Sequence, residues 1–459
     1  AYGRKLSGEI RVELPARWPA GEPIPFALDA GTDEVFPVRL AIPADAEPSD
    51  YPATVTVRFD WEKLPRIRKP VVLSVLSPDM LGNLMPNGDF ETPDAKGTGP
   101  EGWRVNGTTT KWAPAEGLAD GLGQRVLRFE GSSDWLYSSR TIPVRGGQTY
   151  LYTAWVRNQN MGCGSNMTQH LAGGREVRLY TTQVINAGDN NAHWQVFTCR
   201  KQMPAGAEQA SFTPVGNGSG WAMFDNVRVT LFEGTDYAAE AHRVETPPTI
   251  DGCLDDWAKR CPIPLIGPNQ ITARAEGYAW SPDNLSAVGY LTWDEANLYV
   301  AVNVRDDVHR ATGSGTSAGR EILQGDSLIL AVDPTRRGRD AASRSLAYYL
   351  SSAAPGGGSG RHTLFRPAEH SGGRPAGHLF RDSSIYDLAV APGEGTCVYE
   401  LRIPLVELGI DGTVGTKLGL SLQLNDNDAQ GPAAQINWGD GLYPHWLPDN
   451  FGVVTFVSP

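Results

Sequence analysis

Residues 291–294 read Leu291-Thr292-Trp293-Asp294, and residues 297–306 read Asn297-Leu298-Tyr299-Val300-Ala301-Val302-Asn303-Val304-Arg305-Asp306. Further short motifs lie in order on either side of this stretch: Pro247-Pro248-Thr249-Ile250-Asp251-Gly252, Leu254-Asp255-Asp256-Trp257, Asp326-Ser327-Leu328, Val332-Asp333-Pro334, Tyr399-Glu400-Leu401-Arg402-Ile403-Pro404, Asn425-Asp426-Asn427-Asp428, Trp438 and Pro448-Asp449-Asn450-Phe451-Gly452-Val453-Val454. Each motif alone is a weak signal. The ordered set is a strong one, and it spans slightly under half of the chain.

In this order and at this spacing, residues 241–459 resemble the family-nine carbohydrate-binding modules that are attached to bacterial xylanases. The resemblance implies a β-sandwich that binds sugar and does not cleave it. That family holds a sugar between two tryptophans. One of them corresponds to Trp438, while the place of the other, residues 320–327, has no aromatic residue. Trp446 or Tyr443 is the expected replacement face.

Sugar recognition requires flat aromatic faces together with planar amides or charged groups that hydrogen-bond hydroxyls. The expected hydrogen-bonding partners in this region are Asn425 and Asn437. The segment that contains Trp438 follows a polar strand end and precedes the closing strand, which predicts an indole exposed to solvent at one end of the sandwich. Core packing is the alternative for Trp438, and it is the prediction for Trp257 and Trp293.

A second set of motifs opens with Asn83-Leu84-Met85-Pro86-Asn87-Gly88-Asp89-Phe90-Glu91 and closes with Ala222-Met223-Phe224-Asp225-Asn226-Val227-Arg228-Val229. Residues 83–232 thereby resemble the jelly-roll sandwiches of carbohydrate-binding families four, sixteen and twenty-two. In those families the first and last strands share a structural calcium ion. The matching positions are Asp89, Glu91 and Asp225; turn carboxylates are the alternative. A second acidic set in the third region, Asp306, Asp307, Asp326 and Asp333, has the same two interpretations.

Trp135 and Tyr137 lie two residues apart, so both side chains can occupy one face of a strand. The region around them has more aromatic residues than one small core requires. The pair is therefore predicted to form a stacking platform for sugar, with core packing as the alternative.

Residues 1–80 alternate apolar and polar positions over short runs that are separated by Pro- and Gly-containing turns. Such a period of two predicts half-buried antiparallel strands, and the segment resembles immunoglobulin-like spacer modules. The predicted fold class is all-β, with three tandem β-sandwich domains. The predicted boundaries are 1–80 (immunoglobulin-like), 81–234 (jelly-roll) and 241–459 (family-nine-like).

The chain has 459 residues, with 52 Gly and 34 Pro and a net charge of −12. This composition fits many short strands joined by turns. The negative charge argues against nucleic acid as a partner, because phosphate backbones are repelled. No apolar run approaches the ~20 residues that span a bilayer. The sequence does not predict the structure of the Gly-rich insert at 336–377.

The five cysteines form no Cys-x-x-Cys pair, which argues against a zinc knuckle. Cys253 and Cys261 are close in sequence, and Cys163 and Cys199 share a predicted domain. We predict these two pairs as disulfides in an oxidising compartment, with Cys397 free and buried. Reduced buried thiols are the alternative.

A glycosidase needs two carboxylates roughly 5–10 Å apart, and the adjacent pairs Asp255-Asp256 and Asp306-Asp307 would point to opposite strand faces. No nucleophile elbow or His-Glu-x-x-His motif occurs. The sequence predicts a secreted or cell-surface protein that binds polysaccharide and is not itself an enzyme. A catalytic domain upstream of residue 1 stays open, as does an unrecognised lyase or hydrolase. The main alternative is a surface-layer, filament or adhesion subunit that self-associates.

Overall fold

The computed structural model describes residues 5–30, 36, 38–47, 49–61, 63–75, 81–117, 121–171, 176–179, 193–311, 322–336, 345–352, 361–365, 378–379, 387–428, 433–442 and 446–459. These residues form strands and turns almost throughout, and the predicted all-β class is confirmed. The α-helix of this part of the chain, α1 (Leu405–Leu408), has four residues. None of the helices in the described ranges is long and apolar enough to cross a membrane. Most of the 336–377 insert lies outside the described residues.

The chain divides into two compact units, residues 1–81 and 82–459. The first contains one antiparallel sheet with the strand order β2-β1-β3-β4. Its strands are β1 (Leu6–Glu13), β2 (Ile24–Leu28), β3 (Asp50–Phe59) and β4 (Ile67–Ser74). The Phe26 ring packs edge-on against the Phe59 ring at 5.8 Å. The immunoglobulin-like character of this unit stays a prediction.

The second unit begins with a seven-stranded sheet of order β10-β8-β11-β6-β5, with β7 paired to β11 and β9 to β8. Its strands are β5 (Thr110–Pro114), β6 (Arg125–Tyr137), β7 (Arg140–Pro143), β8 (Thr149–Leu171), β9 (Glu176–Leu179), β10 (Gln195–Gln202) and β11 (Ala207–Leu231). The register between β8 and β11 shifts near Gly218 and after Asp225. Such irregularities bend long strands, and the sheet encloses a core that includes Phe90, Phe129 and Phe224.

A fourteen-stranded sheet follows, with the main order β20-β19-β18-β17-β23-β25-β12-β15-β16-β22-β21. Its strands are β12 (Ala238–Arg243), β13 (Ile263–Leu265), β14 (Ile271–Arg274), β15 (Leu285–Trp293), β16 (Asn297–Asp306), β17 (Ser327–Asp333), β18 (Leu346–Ser351), β19 (Arg361–Phe365), β20 (His378–Leu379), β21 (Leu388–Gly393), β22 (Thr396–Pro404), β23 (Lys417–Asp426), β24 (Ala434–Trp438) and β25 (Gly452–Val457). Short 3-10 turns occupy 268–270, 322–324 and 448–450. Trp293 is buried and stacks on Phe456 at 4.9 Å, and Trp257 is also buried, so the core prediction for both tryptophans is confirmed.

The two sheets of the second unit share an apolar cluster. Trp155 and Met223 from the seven-stranded sheet pack with Tyr290 from the other and with Trp194 and Trp257, which lie outside the strands. A buried ion pair crosses the same junction, because Arg228 of β11 lies 2.9 Å from Glu240 of β12. The predicted domain boundary at 234–241 therefore falls inside one compact unit.

None of the five cysteines forms a disulfide, so both predicted disulfides are wrong. Cys253 is exposed on a turn, whereas the Cys261 sulfur accepts a hydrogen bond from the Glu240 amide at 3.2 Å. Cys163 is fully buried in the core of the seven-stranded sheet, and Cys199 packs at the edge of that core. The prediction of a free, buried Cys397 is confirmed. Neither closeness in sequence, for Cys253 and Cys261, nor a shared domain, for Cys163 and Cys199, was enough to bring a pair of sulfurs together.

Candidate functional site

Two aromatic side chains near the end of β6 are displayed to solvent. Trp135 is 50% exposed and Tyr137 is 59% exposed, whereas Leu136 between them packs against the core. This alternation is the strand periodicity that places residues i and i+2 on one face. Both rings line an open groove of about 810 Å³. The structure thus brings together the two residues that sequence spacing selected.

An irregularity in β6 gives Trp135 its position. Tyr137 pairs with Val215 and Leu136 with Gly216, but the next paired residue back along β6 is Ser132, opposite Gly218. Trp135 therefore lies in a stretch that is out of register with β11. Bulges of this kind re-aim side chains at sheet edges and near functional sites.

Another wall of the groove is polar and includes the turn that contains Asp94. The Asp94 carboxylate accepts hydrogen bonds from the amides of Lys96 at 3.0 Å and Thr98 at 2.9 Å. The hydrogen bond from the Thr98 amide is the main cause of a lowered pKa of Asp94, which remains charged. Lys96 and Arg104 add exposed cationic groups to the lining. Sequence reasoning missed this wall, because nothing in the sequence relates the turn to β6.

Asn106 also lines the groove, but its amide is already engaged. Its Oδ1 accepts hydrogen bonds from the amides of Thr108, Thr109 and Thr110, each at 2.9 Å. Its Nδ2 donates to the Thr109 hydroxyl at 2.8 Å. Asn106 therefore holds the rim in shape, and the hydrogen-bonding groups left for a ligand belong to other residues.

Trp438 is not presented to solvent, and the prediction of an exposed indole is wrong. Its side chain is only 4% exposed and belongs to the core of the fourteen-stranded sheet. Tyr237 packs edge-on against it at 5.8 Å. A Cβ placed on Gly452 would lie 2.6 Å from the indole, so the backbone of β25 closes over the ring. The sequence predicted that Trp438 lies in an exposed connection at one end of the sandwich. Instead, the segments that contain Tyr237 and Gly452 pack against the indole and bury it.

The other predicted ligand residues of this region do not share one surface. Asn425 is buried, and it donates to the Ser327 hydroxyl at 3.0 Å and accepts from Gln423 at 2.9 Å. Asn437 is buried next to Trp438. Trp446 is half-buried against Phe451 at 5.4 Å. Tyr443 lies outside the described residues.

A smaller pocket of about 340 Å³ lies between the two sheets of the second unit. The Trp438 ring forms part of its lining together with Tyr237, Asp440, Asn450 and Arg200. Burial raises the pKa of Tyr237 to about 12, with the charges of Asp440 and Asp236 adding to the effect. The charged and amide side chains in its lining make the pocket polar.

The predicted calcium residues lie near one another. Asp225 is fully buried, and its Oδ1 accepts a hydrogen bond from the Asn226 amide at 2.7 Å, while its Oδ2 has no partner. Burial raises the pKa of Asp225 well above its usual value, and the charges of Asp89 and Glu91 raise it further. Glu91 Oε1 accepts from the Arg125 amide at 2.8 Å. Such an unpaired buried oxygen beside two carboxylates suits a hard cation.

A second acidic cluster lies at one end of the fourteen-stranded sheet. Asp306, His309 and Asp326 are the three described residues whose potential ligand atoms all lie within 4.8 Å of one another, a closer approach than that of Asp89, Glu91 and Asp225. Burial raises the pKa of Asp326, and the charge of Asp306 raises it further. Asp426 lies beside them, and burial, together with the charge of Asp428, raises its pKa to about 7. Sequence reasoning included Asp306 and Asp326 but missed His309 and Asp426.

Residues 250–458 match the family model described as carbohydrate family 9 binding domain-like. This part of the chain is a family-nine-like domain. The resemblance inferred from the ordered motifs is thereby confirmed, from Ile250 through the closing strand β25. No curated protein matches the chain.

Solved structures with a similar fold include carbohydrate-binding modules. A family 9 module from Caldicellulosiruptor kristjanssonii in complex with cellotriose is 20% identical, with a TM-score of 0.35, and the match covers 48% of this chain and 94% of that one. A putative carbohydrate-binding protein from Bacteroides uniformis is 14% identical, with a TM-score of 0.35 and coverages of 48% and 99%. A family 16 module is 17% identical, with a TM-score of 0.24 and coverages of 32% and 99%. At these identities the likeness concerns the fold alone.

Proposed function

We propose that this protein binds a polysaccharide without cleaving it and that the groove at Trp135 and Tyr137 is its principal binding site. The observation that carries the proposal is the pair of half-exposed aromatic rings on one strand face of an open groove. Large exposed aromatic side chains in a groove with a polar rim are a feature of ligand sites. The family-nine-like domain in the same compact unit supports the carbohydrate class.

The groove has the two kinds of group that recognition of a pyranose requires. The rings of Trp135 and Tyr137 offer flat faces to the C–H face of the sugar, and Tyr and Trp contribute large contact areas with little loss of side-chain entropy. Asp94 accepts hydrogen bonds from hydroxyls, while Lys96 and Arg104 donate them. Because the Asp94 turn is already held by internal hydrogen bonds, little ordering is needed on binding.

The proposal also covers where the protein acts and whether it catalyses a reaction. A polysaccharide-binding protein of this kind is expected to act outside the cell, secreted or at the cell surface, where its ligand occurs. We propose no catalytic step for the described residues. Incubation with the bound polysaccharide should release no new reducing ends, and their appearance at a rate proportional to protein concentration would contradict this part of the proposal.

Replacement of Trp135 by alanine is expected to weaken binding by about 30-fold or more, because loss of a central aromatic contact costs about 2 kcal/mol. Tyr137→Ala should weaken binding in the same direction. A glycan array of neutral and uronate-containing polysaccharides, followed by calorimetry on the best ligand, measures the effect. Trp61→Ala is the matched control, since Trp61 is also exposed but belongs to the other compact unit.

Two outcomes would contradict the groove assignment. One is full binding by the double variant Trp135→Ala/Tyr137→Ala. The other is a loss of binding in Asn450→Ala that leaves the groove variants unaffected, because Asn450 lines the pocket at Trp438. The second outcome would indicate that the carbohydrate binds in that pocket and not in the groove, with the proposed class of ligand unchanged.

We also propose that Asp89, Glu91 and Asp225 bind a structural calcium ion. These residues offer oxygen ligands alone, which is the donor set that Ca²⁺ prefers. Phe90, which lies between the two loop carboxylates, is completely buried and anchors the loop. The ion would neutralise the charge of Asp225 and contact the buried Oδ2 atom that has no hydrogen-bond partner.

Removal of calcium is expected to lower the melting temperature, since an ion bound only by the folded state stabilises that state by mass action. The measurement compares thermal unfolding in excess chelator with unfolding after calcium is restored. In Asp225→Asn the calcium-dependent shift should disappear. Identical melting curves with and without calcium in the wild-type protein would count against the site.

A further inference from the structure

Strands that are distant in the fourteen-stranded sheet meet at the acidic cluster. Asp306 ends β16, Asp326 directly precedes β17, and Asp426 ends β23. β17 and β23 are neighbours, but β25, β12 and β15 separate β23 from β16 in the strand order. The ligand atoms of Asp306 and Asp326 nevertheless lie within 4.8 Å of each other. The cluster therefore connects two parts of the sheet that are not neighbours in the strand order, beside a backbone hydrogen bond from the Asp326 amide to the Arg310 carbonyl at 3.0 Å.

The histidine in the cluster faces both carboxylates without forming a hydrogen bond to either. His309 Nδ1 is 3.4 Å from Asp306 Oδ2 and 3.6 Å from Asp326 Oδ2. It is a buried atom with no hydrogen-bond partner. These separations exceed normal hydrogen-bond lengths. They match the edge of a tetrahedron around zinc, which is about 3.3 Å for ligands at the usual Zn–N and Zn–O distances.

Surrounding hydrogen bonds orient the same atoms. His309 Nε2 lies 3.0 Å from the Ser352 hydroxyl, and donation from Nε2 leaves the Nδ1 lone pair free for a metal. Asp306 Oδ1 accepts from the Val308 amide at 3.0 Å, and Asp326 Oδ1 accepts from the Asn427 amide at 2.7 Å. Asp326 Oδ2 also accepts from the Arg310 amide. Each carboxylate is thus fixed through Oδ1 and presents Oδ2 to the histidine.

An independent observation also points to a cation. Asp426 is 1% exposed, its Oδ2 accepts a hydrogen bond from the Tyr278 hydroxyl at 3.0 Å, and its Oδ1 has no partner. It lies close enough to Asp306 and Asp326 to interact electrostatically with both. Several buried carboxylates with like charge are strongly destabilising unless a cation or bound protons neutralise them.

We propose that Asp306, His309 and Asp326, with Asp426 beside them, form a binding site for one divalent transition-metal ion, for which Zn²⁺ is the best match. The imidazole nitrogen distinguishes this site from an all-oxygen calcium site, since Ca²⁺ takes oxygen ligands. The ion joins the ends of β16, β17 and β23. Its role is structural, and it does not depend on the proposed carbohydrate function.

Titration of the full chain with Zn²⁺ in the presence of excess Ca²⁺ tests the site, because calcium then occupies oxygen-only sites. We expect calorimetry to show one zinc ion per chain and the melting temperature to rise with zinc. His309→Gln should weaken zinc binding by at least about 10-fold, the lower limit for loss of even an outer-shell partner. His193→Gln is the matched control, since His193 packs on Trp280 and is not one of the proposed ligands.

Further measurements separate loss of the site from misfolding. His309→Gln should keep the calcium-dependent melting shift that Asp225→Asn loses. Ser352→Ala, which leaves all the proposed ligands in place, should weaken zinc binding by about 10-fold. Co²⁺ bound in place of zinc should give the intense visible spectrum of tetrahedral coordination. Absence of zinc binding, displacement of zinc by calcium, or wild-type zinc affinity in His309→Gln would each overturn the proposal.

Discussion

Replacement of Trp438 by alanine is expected to lower the free energy of unfolding by about 3–5 kcal/mol, as for other buried aromatic residues whose removal leaves a cavity. The indole is 4% exposed, and the ring of Tyr237 and the backbone at Gly452 pack directly against it. On β24 it also faces Leu422 of β23 in the strand register. The backbones at Gly452 and Leu422 cannot move inward without breaking the pairing of β25 and β23, so little of the cavity can close.

Denaturant titration measures this effect as a shift of the midpoint with an unchanged slope. Trp135→Ala is the control, because an exposed side chain in the same compact unit should change stability by no more than about 0.5 kcal/mol. The two variants should therefore divide the two properties: Trp438→Ala loses stability, and Trp135→Ala loses carbohydrate affinity. A loss below about 1 kcal/mol for Trp438→Ala would show that the ring is not core.

Replacement of Arg228 by methionine is expected to cost about 3–5 kcal/mol, because it leaves the Glu240 carboxylate buried without its cation. Glu240 also lies 3.2 Å from His242 Nε2 and accepts a hydrogen bond from the Asn83 amide. Arg243→Met is the matched control, because Arg243 pairs with Glu295 at an exposed position where ion pairs contribute about 0–1 kcal/mol. Equal losses in the two variants would contradict the buried-pair interpretation.

The same pair predicts how stability depends on pH. Burial acts to raise the pKa of Glu240, but the charge of Arg228 and the hydrogen bond from His242 lower it to about 2 from a usual 4.5. A lowered carboxyl pKa gives stability that is complete above pH 4.5 and is lost as the pH falls towards 2. In Arg228→Met the pKa of Glu240 should rise, because burial then acts without the opposing cation, so this acid-dependent loss should shrink. The double variant Arg228→Met/Glu240→Gln should lose less than the sum of the single changes.

The strands could be predicted from the local pattern of apolar and polar residues, because that pattern alone is sufficient to define a strand. The run from Asn297 to Asp306 became β16, and Asp326-Ser327-Leu328 marks the start of β17. Trp135 and Tyr137 share a solvent-exposed face as their spacing indicated. In each case the information lies within a few consecutive residues.

Features that depend on distant segments could not be predicted in this way. Burial of Trp438 depends on contacts with Tyr237 and Gly452. Tyr237 lies far before Trp438 in the sequence and Gly452 lies after it, so the residues next to Trp438 do not reveal these contacts. The two disulfide predictions were wrong because neither nearness in sequence nor a shared domain determines where the side chains point. His309 meets Asp326 only because the fold brings the end of β16 and the start of β17 together. The polar wall at Asp94 likewise depends on how a turn packs beside β6.

Strand β12 has a practical consequence for dissecting this protein. It lies parallel between β15 and β25, and Glu240 within it is the partner of Arg228. The family match begins at residue 250, after β12 has ended. A fragment excised at that position would leave β15 and β25 with unpaired backbone groups where β12 had been, and such open edges recruit other chains. Aggregation of that fragment would then report the misplaced cut and say nothing about whether the family-nine-like domain can recognise a glycan.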